Sequence, residues 1–503
     1  MEVLIFFYAT LALSFLLFID KLSLVKIKLF RLVPVISLGA IIVGCSVNPA
    51  TGDRQLNLVS ESQAIEMGKE ADKNIVNSMG LYPDQGLQNY VQTLGKKLAA
   101  KSERPNLPWT FRVIDDPVVN AFAVPGGFIY VTRGILSHFT SEAELIGVLG
   151  HEIGHVTAQH SVNQMSQQQL TQLGVGVAMI VKPELQQYSQ LAGLGLNLLF
   201  LKFGRDDERE ADMLGVRYMS RLNENPQELI GVMEMLNRTS KQSDAGRMPQ
   251  WLSTHPDPEN RIELIKEHIT ELNHKGNWAP VDREGYLNRL NGMTFGSNPR
   301  EGFFEGNTFY HPELKFQYQF PQGWNVINQK QAVFGVSKNE DAVLQITLSG
   351  QSSPQNAAQT FANQEGIQTT GIQSMSVNGM PATSTNFSAE TQQGNIRGRA
   401  VYISYAGNVF ELVGYAADGG WNSYNNVFNN SINSFRQLSD PNKLNVQPKE
   451  IKIITLDRAM TLQGFNQRYP STIDMENLAI INQAQANTKF EKGAKVKQVV
   501  GGR

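Results

Sequence analysis

His151-Glu152-Ile153-Gly154-His155 sets two imidazoles four residues apart with a carboxylate beside the first. At about 100° per residue on a helix, His155 lies only about 40° around from His151, so both rings point to one side and can share a divalent metal. Glu152 falls on the flank of that side, where it reaches an attacking water rather than the metal. The pattern suits metal-assisted hydrolysis with the carboxylate as general base. With 8 histidines in 503 residues, a chance occurrence is expected on the order of 0.01 times per chain. The bland alternative is two surface histidines on an ordinary helix.

Such a metal needs a third protein ligand and one open position. The stretch Glu208-Arg209-Glu210-Ala211-Asp212 offers the ligand: Glu208 and Asp212 are four apart and share a helix face, and Ala211 and Gly215 are small enough to let that helix come close. Glu208 is assigned as third ligand, and Asp212 as the partner that orients a ligand imidazole through its other N–H. Two more histidines lie nearby in sequence. His160, nine residues after His151, falls about 180° around a continued helix and points away from the metal as a packing or capping residue. His255, in Ser253-Thr254-His255-Pro256, stands just before a helix, where turn chemistry alone would hold it as a loop histidine.

The elements that must position these residues follow from pattern. Ser60 to about Ser102 reads as two helices, the first with Ser60 and Gln63 in capping-box spacing. TFRVID, NAFAVP and GFIYVT, from about Trp109 to Val131, are β-type runs, with Pro125-Gly126-Gly127 turning between the last two. A helix begins at Ser141, capped with Glu144, and runs past His160; others span Asp206 to about Leu222 and Pro258 to Leu272. Residues 170 to 203 are apolar but interrupted, and suit a helical hairpin over a cleft or at a membrane surface better than two spans. The fold class is α+β: a helix-dominated zincin-type domain with a small sheet (46–272), a linker (273–307), an antiparallel α+β domain (308–438) with helices at FANQEGI and NNVFNNSINSF, and a small βααβ module (450–499).

Composition narrows function. Lys+Arg 44 against Asp+Glu 46, net charge -2, argues against nucleic acid as a partner, and the single cysteine excludes a disulfide framework, a thiolate zinc cage and an iron–sulfur cluster. That cysteine ends an apolar run, Ile42-Val43-Gly44-Cys45, preceded by Lys26, Lys28 and Arg31. The run resembles a bacterial lipobox, which makes residues 1–45 an export segment, Cys45 the lipidated first mature residue, and Leu24 or Val25 a better start than Met1. Ser46 after it implies the outer membrane by the sorting rule for such lipoproteins. An uncleaved inner-membrane anchor is the alternative.

Four ordered motifs, NAFAVPGGFIYVTRGIL (120–136), SEAELIGVLGHEIGHVTAQHS (141–161), GRDDEREADMLG (204–215) and STHPDPENR (253–261), resemble the zinc peptidases that include the beta-barrel assembly-enhancing protease, the heat-shock protease HtpX and the CAAX prenyl proteases. The resemblance is to the periplasmic branch. It implies one Zn2+ per chain on His151, His155 and Glu208, with Glu152 as catalytic base. It implies that His255 either fills the open position as a self-inhibiting latch or steadies the oxyanion. An extended substrate would pair with the edge strand Asn120, Ala121, Phe122, Ala123 and Val124. The function implied is endopeptidase action on misfolded or misassembled envelope proteins. The competing reading is a non-catalytic holdase or scaffold lipoprotein binding unfolded chains and peptidoglycan. The FPQGW turn (320–324) is similar to those of photosystem-P-like domains. The last module is similar to LysM, a peptidoglycan binder, although Arg458-Ala459-Met460 replaces the usual Gly-Asp before Thr461-Leu462.

Overall fold

The computed structural model describes residues 45–174, 202–242, 250–256, 258–272, 274, 277–391 and 394–502. The export segment before Cys45 and nearly all of the hairpin expected over 170–203 lie outside them.

The described chain opens on a hairpin, β1 (Cys45–Val47) and β2 (Arg54–Leu56), followed by α1 (Glu61–Met79) and α2 (Gln85–Ala99). Ser60 and Gln63 cap α1 reciprocally, as their spacing predicts. Strands β3 (Thr110–Ile114), β4 (Ala121–Val124) and β5 (Phe128–Thr132) form a sheet of order β3-β5-β4, with β3 parallel and β4 antiparallel to β5. The turn between β4 and β5 uses Gly126 at φ +83°, where a Cβ would also lie 2.6 Å from Ile65 Cα. Only glycine suits both demands.

Next come α3 (Arg133–His138), α4 (Glu142–Thr157), α5 (His160–Gly174), α6 (Arg205–Arg221), α7 (Gln227–Gln242), α8 (Gln250–Thr254) and α9 (Pro258–Glu271). Helix α4 is the axis of this region: every residue from Ala143 to Thr157 is buried. Ser141 caps it by accepting from Glu144 N, but the Glu144 carboxylate turns to Thr140 N and Oγ1, both at 2.7 Å, so the box is half formed. The helix expected to continue through His160 does not. It ends at Thr157, Gln159 takes φ +63°, and α5 starts afresh at His160.

Residues 273–307, expected as a linker, contain α10 (Glu284–Arg289) and β6 (Thr294–Phe295), and Tyr286, Leu287, Leu290 and Met293 are buried in the same core as α4. Gly, Asn and Pro in this stretch conceal an apolar face of spacing 1, 3 and 3. The second region holds β7 (Phe303–Glu305), β8 (Thr308–His311), β9 (Phe316–Gln319), β10 (Asn325–Asn328), β11 (Ala332–Val336), β12 (Ala342–Leu348), α11 (Pro354–Ala362), β13 (Ile367–Val377), β14 (Met380–Thr391), β15 (Gly394–Tyr405), β16 (Asn408–Ala417), α12 (Trp421–Asn433) and β17 (Arg436–Gln437). Its main sheet is antiparallel, of order β10-β11-β12-β16-β15-β14-β13. Helices α11 and α12 pack on opposite faces of it: Ala400 and Tyr402 join α11 in one core, Val401 and Ile403 join α12 in the other. Helix α11 ends where FANQEGI begins, so the helix expected there is displaced upstream.

The last module runs β18 (Lys449–Thr455), β19 (Met460–Thr461), α13 (Leu462–Arg468), α14 (Met475–Ile481), β20 (Lys489–Phe490) and β21 (Lys495–Gly501), the expected strand, helix, helix, strand with a short β19–β20 pair added. It is joined to the α4 region: β18 pairs with β6, and Ile451 and Ile480 enter the α4 core. The fully buried Lys497 Nζ donates to Ser137 O, Phe139 O and Ile481 O at 2.8, 2.5 and 2.6 Å.

Candidate active site

Two helices make the site. Gly150 and Gly154 on α4 face Ala211 and Gly215 on α6 so closely that a Cβ on Gly154 would lie 3.0 Å from Ala211 Cα, and one on Gly150 3.2 Å from Gly215 Cα. The small residues expected to permit close approach do so. The crossing carries Glu208, one turn before Ala211, up to the two α4 imidazoles.

His151 Nε2 and His155 Nε2 are 3.0 Å apart, and His255 Nδ1 lies 3.2 Å from His151 Nε2 and 2.8 Å from Glu208 Oε1. Glu208 Oε1 and Oε2 lie 3.5 Å from His155 and His151 respectively. The four residues offer one ligand atom each within 4.8 Å, and none is more than 1% exposed. Metal–nitrogen bonds near 2.0–2.1 Å at tetrahedral angles separate ligand atoms by about 3.3 Å. The observed spacings match that, and His151 Nδ1 faces Asp212 Oδ1 at 2.9 Å, which leaves Nε2 as a lone pair aimed at its neighbours. Converging lone pairs and a carboxylate are a donor set that a dication fits.

Asp212, beside His151 Nδ1, is itself gripped by Arg261, whose Nε and Nη2 donate to Oδ2 and Oδ1, both at 2.7 Å. Burial works to raise the Asp212 carboxyl, but Arg261 outweighs it and holds the group well below the usual carboxylate range. Arg261 Nη1 also lies 2.8 Å from Glu208 Oε2, an ion contact without hydrogen-bond alignment. Burial, reinforced by the neighbouring histidines, keeps His155 neutral. Glu152 borders the cluster, with Oε1 accepting from Trp251 Nε1 at 3.3 Å and 3.7 Å from His255 Nε2.

Strand β4 lies at the edge of its sheet, beside α4. Asn120, just before it, is buried, and its Oδ1 has no hydrogen-bond partner among the described residues. Trp251 N donates to Val119 O at 3.4 Å, so α8, which carries the Trp251 ring and ends just before His255, is tied to the start of β4.

His160 does not point away from the cluster. The left-handed Gln159 turns the chain so that His160 Nδ1 lies 2.9 Å from His155 Nδ1. Arg261, Trp251 and Phe203 were not singled out in the sequence, although Trp251 stacks on His255 at 4.7 Å, Phe203 on His155 at 4.1 Å, and Arg261 lies over Trp251 at 4.9 Å. For Arg261 a signal existed: two carboxylates assigned to one buried site require a cation, and Arg261 closes the STHPDPENR motif.

An HExxH helix crossed by a second helix that brings in a glutamate defines a zinc-dependent peptidase site. The sequence model of Peptidase family M48 matches residues 86–269, and with that domain the chain carries a zinc metalloendopeptidase. The chain is 31% identical over 230 residues to the mitochondrial metalloendopeptidase OMA1 of Schizosaccharomyces pombe, covering 44% of this chain and 66% of that one. It is 30% identical over 223 residues to the beta-barrel assembly-enhancing protease of Yersinia pestis (42% and 45% covered) and 28% over 232 to that of Escherichia coli (44% and 47%). The chain thus spans from under half to just under two thirds of these relatives. Among solved structures, cyanobacterial PsbP from Synechocystis matches at TM-score 0.23 and 14% identity, covering 26% of this chain and 91% of that one.

Proposed function

We propose that this protein is a lipid-anchored endopeptidase of the bacterial periplasm, broad in sequence preference, that removes misfolded or misassembled envelope proteins. The observation that carries the reading is Glu152 beside four converging ligand atoms at one end of an edge strand. His151, His155 and Glu208 would hold zinc, which when bound supplies Lewis-acid polarisation of the scissile carbonyl and a water of lowered pKa. Glu152 accepts the proton of the attacking water and returns it to the leaving amine, with Trp251 Nε1–H holding Oε1 in place. An extended segment adding to β4 would be fixed by main-chain hydrogen bonds, a mode indifferent to most side chains. Cys45 would carry the lipid.

The spacing of His255 Nδ1 to His151 and Glu208 supports the latch over the oxyanion role, because it occupies the position a substrate carbonyl needs. The last module would serve as a spacer or glycan-binding unit. The test is casein degradation by the purified protein from Ser46 onward, with zinc quantified in wild type, Glu152→Gln and His255→Ala. Cleavage by wild type and faster cleavage by His255→Ala, with none by a zinc-loaded Glu152→Gln, is expected. Zinc in all three with no cleavage of casein or envelope proteins would favour the holdase reading.

A further inference from the structure

The two zinc-ligand histidines are backed in different ways. His151 leans on Asp212, buried and locked by Arg261. His155 leans on another imidazole. Its Nε2 faces the metal cluster, so that nitrogen must be the lone pair and Nδ1 the donor. The proton on Nδ1 then points at His160 Nδ1, 2.9 Å away, which must accept. His160 in turn carries its own proton on Nε2, which faces Glu210 Oε2 at 3.4 Å and Asp207 Oδ1 at 3.8 Å. Glu210 Oε1 accepts from Asn48 Nδ2 at 2.6 Å. One tautomer assignment therefore satisfies every atom from the strap that follows Cys45 to the metal cluster.

The same strap holds the corner that creates this geometry. Gln159, the left-handed residue before His160, accepts at Oε1 from Gln55 Nε2 at 2.8 Å and from Asn57 Nδ2 at 2.7 Å. Phe203 stacks on one face of the His155 ring at 4.1 Å, so the ring is held by an aromatic face and by a hydrogen-bond acceptor at its edge.

We propose that His160 is a positioning residue for zinc, fixing the tautomer and orientation of His155, and that Glu210 and Asn48 complete the relay so that the strap at 45–58 sets how firmly the His155 side of the site holds its metal. This rests on the zinc site itself and not on which substrates are cleaved. Outer partners of ligand histidines typically change metal affinity by about 10–100-fold.

The experiment is zinc affinity by chelator competition, with the absorption spectrum of the cobalt-substituted protein as an independent readout, on wild type, His160→Phe, His160→Gln, Glu210→Ala and Asn48→Ala. Phenylalanine fills the volume without accepting a proton and should loosen zinc by about 10–100-fold and alter the cobalt bands. Glutamine, which accepts from His155 and donates to Glu210, should restore most of the affinity. Glu210→Ala, at a side chain 23% exposed, should loosen zinc by about 3–10-fold, and Asn48→Ala by less. Equal zinc affinity in the Phe and Gln variants, or wild-type affinity in Glu210→Ala should the ring variants not fold, overturns the proposal. Because neither readout requires proteolysis, a failure of the envelope-protease reading would leave this result standing.

Discussion

The region around α4 and the seven-stranded sheet region bury polar groups of different kinds. At 2% exposure or less the first holds His151, Glu152, His155, Glu208, Asp212, His255 and Arg261, whereas the buried polar residues described within 308–438 are all Ser or Thr, such as Ser337, Thr385 and Ser431. A buried charge is costly unless paired, and a hydroxyl is cheaply satisfied. Among the described residues, buried charge gathers around α4 and none lies within 308–438. The last module has one buried charge, Lys497, and it spends two of its three hydrogen bonds on the α4 region.

The largest effect that could break this contrast is at Glu152. Glu152→Gln should keep zinc and melting temperature yet lower kcat/KM for casein by about 10²–10⁴-fold; an unimpaired rate would mean the buried carboxylate serves packing. Next is Arg261→Leu, which strands Asp212 and Glu208 without their cation. Chemical denaturation should register a loss of about 3–5 kcal/mol, with zinc retention falling alongside. The matching change in the sheet region, Ser337→Ala, removes the acceptor for Asp341 N and Ala342 N and should cost only about 1 kcal/mol.

Lys497→Met sharpens the status of the last module. It leaves buried carbonyls of α3 without a donor and should cost about 1–3 kcal/mol of stability in the α4 region, read from hydrogen exchange there. Confinement of the loss to 449–501 would show the module to be a separate bead.

The smallest effect is acid sensitivity in the sheet region. Burial pushes the His311 imidazole down to about 4, and its Nδ1 accepts from Leu314 N, so the native state takes the neutral ring. The unfolded ring titrates near 6.5 and binds protons first. Stability therefore drops as pH falls from about 6.5 to 4, by about 1 kcal/mol after allowance for partial exposure. His311→Gln should flatten that slope without touching activity at pH 7.

Much of this was legible from residue types and spacing. His151, His155, Glu208 and Asp212 met as their helix periods required, because one turn is a rigid ruler and α4 is a well-formed helix. His160 was misjudged for the converse reason: a period extrapolated through Gln159 assumes a helix that a left-handed residue ends, and glutamine gives no such warning as glycine would. Trp251 meets Glu152 from 99 residues away and Phe203 meets His155 from 48 residues away, by tertiary packing that no local pattern encodes. The 273–307 segment was read by composition, whereas four buried apolar side chains decided its fate.

Lys497 also imposes an order of events. The carbonyls it meets at Ser137 and Phe139 lie 360 and 358 residues earlier. A chain emerges N-terminus first, so these two carbonyls stay without this donor until about 360 further residues have followed. A copy cut before Lys497 would carry every side chain of the metal cluster and lack this tie to Ser137 and Phe139.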